Sequence, residues 1–220
     1  MQIGCDPKAD STKNLMGGRR IPTVLEQIRA KGDDLRLEDI VFEGYAGVLC
    51  VESGGPTPGV GCAGRGIISA FEKLAELRAF ETYQPDVVLY DVLGDVVCGG
   101  FAMPIRGGYA RDVYVVSSGE MMSLYAANNI AAAIRNFGKR GYARLRGLIL
   151  NAKNIENEVE IVNKALEEIG TTLVHYIPRS AEIQDAENQG GTVFQCLPES
   201  AMQLVYSELA DKILAQNESE

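Results

Sequence analysis

The feature that most constrains the fold is a regular alternation of short aliphatic runs with longer helical patterns. Residues 47–51, 86–90, 113–116, 148–150 and 173–177 read as strands, and 64–78, 120–138, 156–169 and 199–214 read as helices. Near-continuous apolar runs of this length suit strands buried on both faces, as in a parallel sheet covered by helices. Alternating order predicts right-handed βαβ units. The expected fold class is α/β, a mostly parallel sheet flanked by helices, with residues 1–220 forming a single domain. Met1–Cys5 reads as the tail of a buried strand that runs straight into a loop.

At 220 residues the chain is long enough to bury a sizeable core. Hydrophobic residues make up 46% of it and the mean hydropathy is -0.04, as for ordinary globular proteins. No apolar run approaches the roughly 20 residues that cross a bilayer, and no secretory signal opens the chain. The expected location is the cytoplasm, with no membrane partner. The formal charge of -9 argues against nucleic acid as a partner. The five cysteines, Cys5, Cys50, Cys62, Cys98 and Cys196, form no CxxC pair, so a disulfide framework is not expected. Cys5, Cys50 and Cys196 read as buried free thiols beside apolar segments.

Two cysteines differ in setting. Cys62 lies in Gly59-Val60-Gly61-Cys62-Ala63-Gly64-Arg65-Gly66 and Cys98 in Val97-Cys98-Gly99-Gly100, each after the end of a strand. Strand C-termini are where parallel α/β sheets build their sites. Neighbouring glycines let backbone N–H groups approach a bulky anionic ligand, a setting that suits an iron–sulfur cluster. A 4Fe-4S cluster takes four thiolates, and a two-fold dimer would present this pair twice. The competing reading is two small core residues in tight turns; spacing alone does not choose between them.

Carboxylates follow the same strand ends. Asp91 closes Val87-Val88-Leu89-Tyr90 and Asp95 lies one short loop further on. Such residues hold Mg²⁺ or a water beside a nucleotide phosphate, or cap a turn. Gly4-Cys5-Asp6-Pro7-Lys8-Ala9-Asp10-Ser11-Thr12 reads as a phosphate-sensing loop or as a solvated polar one. Asn151 and Pro178-Arg179 end strands and are candidates to border a base. His175, inside an apolar strand, reads as a core residue, and Met121-Met122 as helix packing.

Four strings together, Gly4–Thr12, Pro58–Gly66, Asp91–Pro104 (DVLGDVVCGGFAMP) and Ser118–Met122 with Tyr125–Asn129, resemble the nitrogenase iron-protein family from residue 1 to about residue 190. The resemblance implies a P-loop NTPase-like fold of the deviant Walker type. It also implies a homodimer holding one 4Fe-4S cluster through Cys62 and Cys98 of each subunit. Asp6, Lys8 and Asp10 would form one nucleotide switch; Asp91 and Asp95 would form a second, joined to the loop of Cys98. Asn151, Pro178, Arg179, Gln184 and Glu187 would line an adenine pocket, and Arg65 matches an arginine that some members ADP-ribosylate. MgATP would tighten the dimer, ferredoxin or flavodoxin would supply electrons, and a nitrogenase or nitrogenase-like component would receive them.

The sequence departs from the family in two ways. No GxxxxGK[ST] segment is present, so the chain is expected to be an N-terminally truncated fragment or to have a mis-assigned start. It would then lack a first strand, phosphate loop and first helix. Unpaired strand edges and weak ATP binding would follow. The C-terminus is expected to stop short of a tail that wraps the partner subunit. The second departure, at 13–43, 57 and 189–191, leaves the partner open. The alternatives are a reductase for a tetrapyrrole-reducing enzyme (nickel-tetrapyrrole cyclase or protochlorophyllide type) and a cluster-free positioning ATPase of the same fold.

Overall fold

A computed structural model describes residues 1–55, 63–94, 103–138 and 143–218. Seven strands occur among them: β1 Gln2–Gly4, β2 Phe42–Glu43, β3 Leu49–Glu52, β4 Leu89–Asp91, β5 Asp112–Ser117, β6 Arg144–Asn151 and β7 Leu173–Ile177. The α-helices are α1 Val24–Lys31, α2 Ala63–Glu76, α3 Ala79–Tyr83, α4 Met103–Arg106, α5 Met121–Gly138, α6 Glu158–Ile169, α7 Ala181–Asn188, α8 Val193–Cys196 and α9 Ala201–Glu218. They divide into two units. The first is built chiefly from Met1–Leu93 with Asp185–Cys196, and the second from Pro104–Gln184 with Leu197–Glu220.

The first unit has a four-stranded sheet in the order β2-β3-β1-β4. β1 pairs in parallel with β3 and with β4, whereas β2 pairs antiparallel to β3 across a short turn at Tyr45–Gly47. That hairpin was not predicted, because a two-residue strand carries no periodic signal. Ile3, Val51 and Cys50 are buried in this sheet, and Ile67, Ala70, Phe71 and Leu74 are buried on α2. The Phe71 ring stacks on Tyr90 of β4, 5.4 Å between centroids. Helix α1, also unpredicted, begins with a full capping box. The Glu26 N–H donates to Thr23 Oγ1 at 3.2 Å, and the Thr23 N–H donates to Glu26 Oε2 at 2.9 Å.

β4 departs from the expected two-sided burial. Among the described residues it is the outer strand of its sheet, with Leu89 53% exposed and Val87, just before it, 44% exposed.

The second unit has a parallel sheet in the order β5-β6-β7. Ala127, Ala131 and Ile134 of α5 and Val162, Leu166 and Ile169 of α6 recur at i, i+4 and i+7 and bury one stripe each. They close over Val115, Leu148 and Leu150; each large aliphatic side chain buried this way contributes roughly 1.5–3 kcal/mol. At the other end of the sheet Asp112 accepts from Arg144 and, at 2.7 Å, from Arg146. His175 is buried in β7 as expected, with Nδ1 3.0 Å from Lys212 Nζ of α9. Met121 and Met122, read as packing residues, are instead 82% and 73% exposed, and Tyr125 beside them is 61% exposed. They occupy the face of α5 opposite its alanine stripe.

The loops that leave β5 and β6 are tied together by one carboxylate. Glu158, the first residue of α6, is buried and accepts N–H bonds from Gly119 at 2.9 Å, Lys153 at 2.9 Å and Ile155 at 3.2 Å. Burial pushes its carboxyl up, but backbone donors from Gly119, Lys153, Ile155 and Asn154 outweigh that and hold it below the usual range. A carboxyl lowered on folding adds stability above the ordinary carboxylate range, and that contribution fades as pH falls through the folded value. E158Q is therefore expected to lose about 2 kcal/mol of unfolding free energy at pH 7, and less in acid. Urea unfolding at neutral and acidic pH measures this; an equal loss at both would contradict the ionised role.

Candidate functional site at the strand ends

Three strands of the first sheet end at one level. Glu52 of β3, Gly4 of β1 and Asp91 of β4 are register partners across the sheet. The chain leaves β1 here through residues 5–12, leaves β3 toward Cys62 and leaves β4 toward Cys98. Parallel strands place all three exits on the same edge, the one that serves as a binding edge in α/β proteins.

The loop after β1 is shaped locally. The Cys5 N–H donates to the Asp91 carbonyl at 2.9 Å, so the loop starts anchored to β4. Asp6 opens a turn with Pro7 second, closed by the Ala9 N–H donating to the Asp6 carbonyl at 3.0 Å. The Asp6 carboxylate also accepts the Lys8 N–H at 2.8 Å. Lys8 Nζ lies 3.4 Å from Asp6 and 3.9 Å from Asp10. With Lys8 and Asp10 exposed, these pairs add little stability; they keep an ammonium and two carboxylates clustered and accessible to ligand.

Residue 12 ends the loop differently. The Thr12 N–H and hydroxyl both donate to Glu52 Oε1 at 2.7 Å. Glu52 is wholly buried, and its Oε2 has no hydrogen-bond partner among the described residues. Burial pushes this carboxyl up, the Thr12 donors oppose that, and the Asp10 and Asp91 carboxylates push it up again; the net displacement is upward. Gly4 makes room for it, since a Cβ there would lie 2.0 Å from Glu52 Oε2. Gln2 Nε2 braces the neighbouring residue by donating to Ser11 O at 3.0 Å and Ser11 Oγ at 2.9 Å. Glu52, Thr12 and Gln2 were missed from sequence. The available signal was a carboxylate closing an apolar strand, the pattern used to select Asp91.

The segment after β3 is held against the same loop. A Cβ on Gly55 would lie 2.5 Å from Pro7 Cβ, so only glycine allows this approach. Helix α2 begins at Ala63, immediately after Cys62. Cys62, Cys98 and Asp95 fall outside the described residues, and so does the side chain of Arg65 in α2.

In the second unit Asn151 ends β6 opposite Ile177 of β7, and Pro178 and Arg179 follow directly. These three predicted residues are thereby brought together at one sheet edge. Gln184 and Glu187 are both on α7, three residues apart and hence on one face. Among the described residues, no three His, Cys, Asp or Glu side chains gather closely enough to hold a metal.

A family model for "4Fe-4S iron sulfur cluster binding proteins, NifH/frxC family" matches residues 1–220. The chain belongs to the NifH/frxC family. It is 52% identical over 221 residues to the nitrogenase iron protein of Methanospirillum hungatei JF-1, an alignment covering 99% of this chain and 78% of that protein. The fold of this family member is similar to that of the cell division ATPase MinD of Pyrococcus furiosus, with TM-score 0.68 and 16% identity. That match covers 97% of this chain and 84% of the other. The MinD of Pyrococcus horikoshii complexed with Mg-ADP gives TM-score 0.68 at 19% identity, covering 96% and 82%. The fold class is accordingly P-loop NTPase-like, with mostly parallel sheets flanked by helices. No described helix is long and apolar enough to cross a membrane.

The remaining cysteines of the family member are graded by burial. Burial pushes the Cys5 thiol up to about 12, and burial with the Glu52 carboxylate pushes Cys50 up to about 11. Cys196, expected to be buried, is only partly so. Since the thiolate is the reactive form, iodoacetamide at pH 8 should modify Cys196 in the native protein while leaving Cys5 and Cys50 intact. Peptide mass spectrometry reads the sites; early labelling of Cys5 would show that its burial is wrong.

Proposed function

We propose that this chain is the ATP-dependent reductase component of a nitrogenase or nitrogenase-like enzyme. It works in the cytoplasm as a homodimer, with residues 1–220 forming one domain of each subunit. The observation that carries this reading is the family match over the whole chain, joined to one structural fact. β3 and β4, the strands that precede Cys62 and Cys98 in sequence, flank β1 in parallel, and the Asp6–Asp10 loop follows β1.

In this reading Cys62 and Cys98 from each subunit supply four thiolates to one 4Fe-4S cluster. When bound, the cluster supplies one-electron redox chemistry. Cys62 directly precedes α2 in sequence, and the first turn of a helix is a setting that suits an anionic ligand. Asp6, Lys8 and Asp10 meet the phosphates and Mg²⁺ of MgATP. Asp91 and Asp95 sense the same ligand from the β4 side and pass its state to the segment of Cys98. Asn151, Pro178, Arg179, Gln184 and Glu187 border the adenine, and Arg65 is the candidate modification site. The exposed Met121, Met122 and Tyr125 suit an apolar contact with a second subunit. Ferredoxin or flavodoxin is the electron donor in this reading, and the large catalytic component is the acceptor.

A cluster-free positioning ATPase is the contrasting reading, and the likeness to MinD supports the fold alone. The two readings separate on iron. Protein purified without oxygen should be brown and hold about four irons per dimer. C62A and C98A should each lose that iron, whereas C196A should retain it. Equal iron in all three variants, or none in the parent protein, would overturn the assignment.

A further inference from the structure

We propose that Glu52 is a positioning residue that fastens the Thr12 end of the Asp6–Thr12 loop to the sheet and so couples that loop to the cysteine-bearing segment after β3. The inference rests on the reading of that loop as a nucleotide sensor. The structure carries it through three contacts. Glu52 Oε1 takes both Thr12 donors at 2.7 Å, Glu52 Oε2 sits against Gly4 Cα with no polar partner among the described residues, and Pro7 packs on Gly55.

A buried carboxyl without a cation beside it is costly as a carboxylate and tolerable as a neutral acid. The Asp10 and Asp91 carboxylates add to that preference. The loop therefore has two fixed ends, a brace from Gln2 to Ser11, and exposed Lys8 and Asp10 side chains between them. Cys5 is held by the Asp91 carbonyl, Thr12 is held by Glu52, and Asp6, Lys8 and Asp10 lie between them. A ligand that pulls on Asp6 or Asp10 bears on these ends, on Pro7 and on the Gln2 brace at Ser11. Glu52 is three residues ahead of Gly55, and Pro7 touches Gly55, so both paths lead into the segment of Cys62. Without the Glu52 anchor, the loop answers a ligand by moving alone.

The test compares E52A with E52Q in the full-length, anaerobically purified dimer, since the glutamine amide keeps an oxygen that accepts from Thr12. Amide hydrogen exchange across residues 6–12 should be about tenfold faster in E52A, the size expected for two lost hydrogen bonds. E52Q should stay within about twofold of the parent. Iron content should match the parent in both variants; MgATP should change the rate of iron removal by a chelator in the parent and in E52Q, and leave it unchanged in E52A. Parent-like exchange in E52A overturns the inference. So does an E52Q as impaired as E52A, because the site would then need a negative charge rather than an acceptor. Should E52A fail to fold, T12V removes the hydroxyl donor alone and should raise exchange about threefold; no change there overturns the inference equally. A parent protein without iron sinks the reductase reading, yet the exchange comparison still decides the role of Glu52.

Discussion

The first unit depends on three parallel strands ending level, with an uncharged position between two carboxylates. Glu52, Gly4 and Asp91 are register partners, and only the bare Gly4 lets a full carboxyl lie beside β1 at that level. Once Glu52 is there, Thr12 must come to it, because a buried carboxyl with no donor at all would be too costly. The loop from Cys5 to Thr12 is then a strap of fixed length over the sheet edge. Its Asp-Pro turn, its lysine and its second aspartate are presented together because both ends are held. Pro7 against Gly55 passes the same constraint to the neighbouring exit.

The second unit solves a similar problem with the opposite displacement. Glu158 gathers three backbone N–H groups from two loops and remains ionised, because donors outweigh burial. Glu52 has two donors on one oxygen, none on the other and two acidic neighbours, so burial prevails. The count and direction of N–H and O–H groups, rather than burial alone, decides which way each buried carboxyl is displaced in the same protein.

Much of this was legible in the sequence. Five apolar runs became five strands within a few residues, and the long helices fell where their 3.6-residue periodicity put them. The strand-end aspartate Asp91 and the Asp6–Asp10 loop could be chosen because side chains at strand C-termini share an edge in parallel sheets. Helix α1 and the β2 hairpin were not legible. One is eight residues long and signalled mainly by its cap, and the other is two residues held by pairing alone. Glu52 was hidden because its partner lies 40 positions away in sequence, and register, not composition, brings them together. Met121 and Met122 misled because apolar character was taken for burial, although a helix with one alanine stripe must turn its other residues outward.

The two borders of the four-stranded sheet are not alike. On one side β2 is two residues long and carries Glu43, a short charged margin that discourages further pairing. On the other, β4 presents the exposed Leu89 together with the exposed carboxylate-bearing Asp91. Among the described residues, each margin of this sheet thus carries one carboxylate, and a further strand pairing at either would have to meet it.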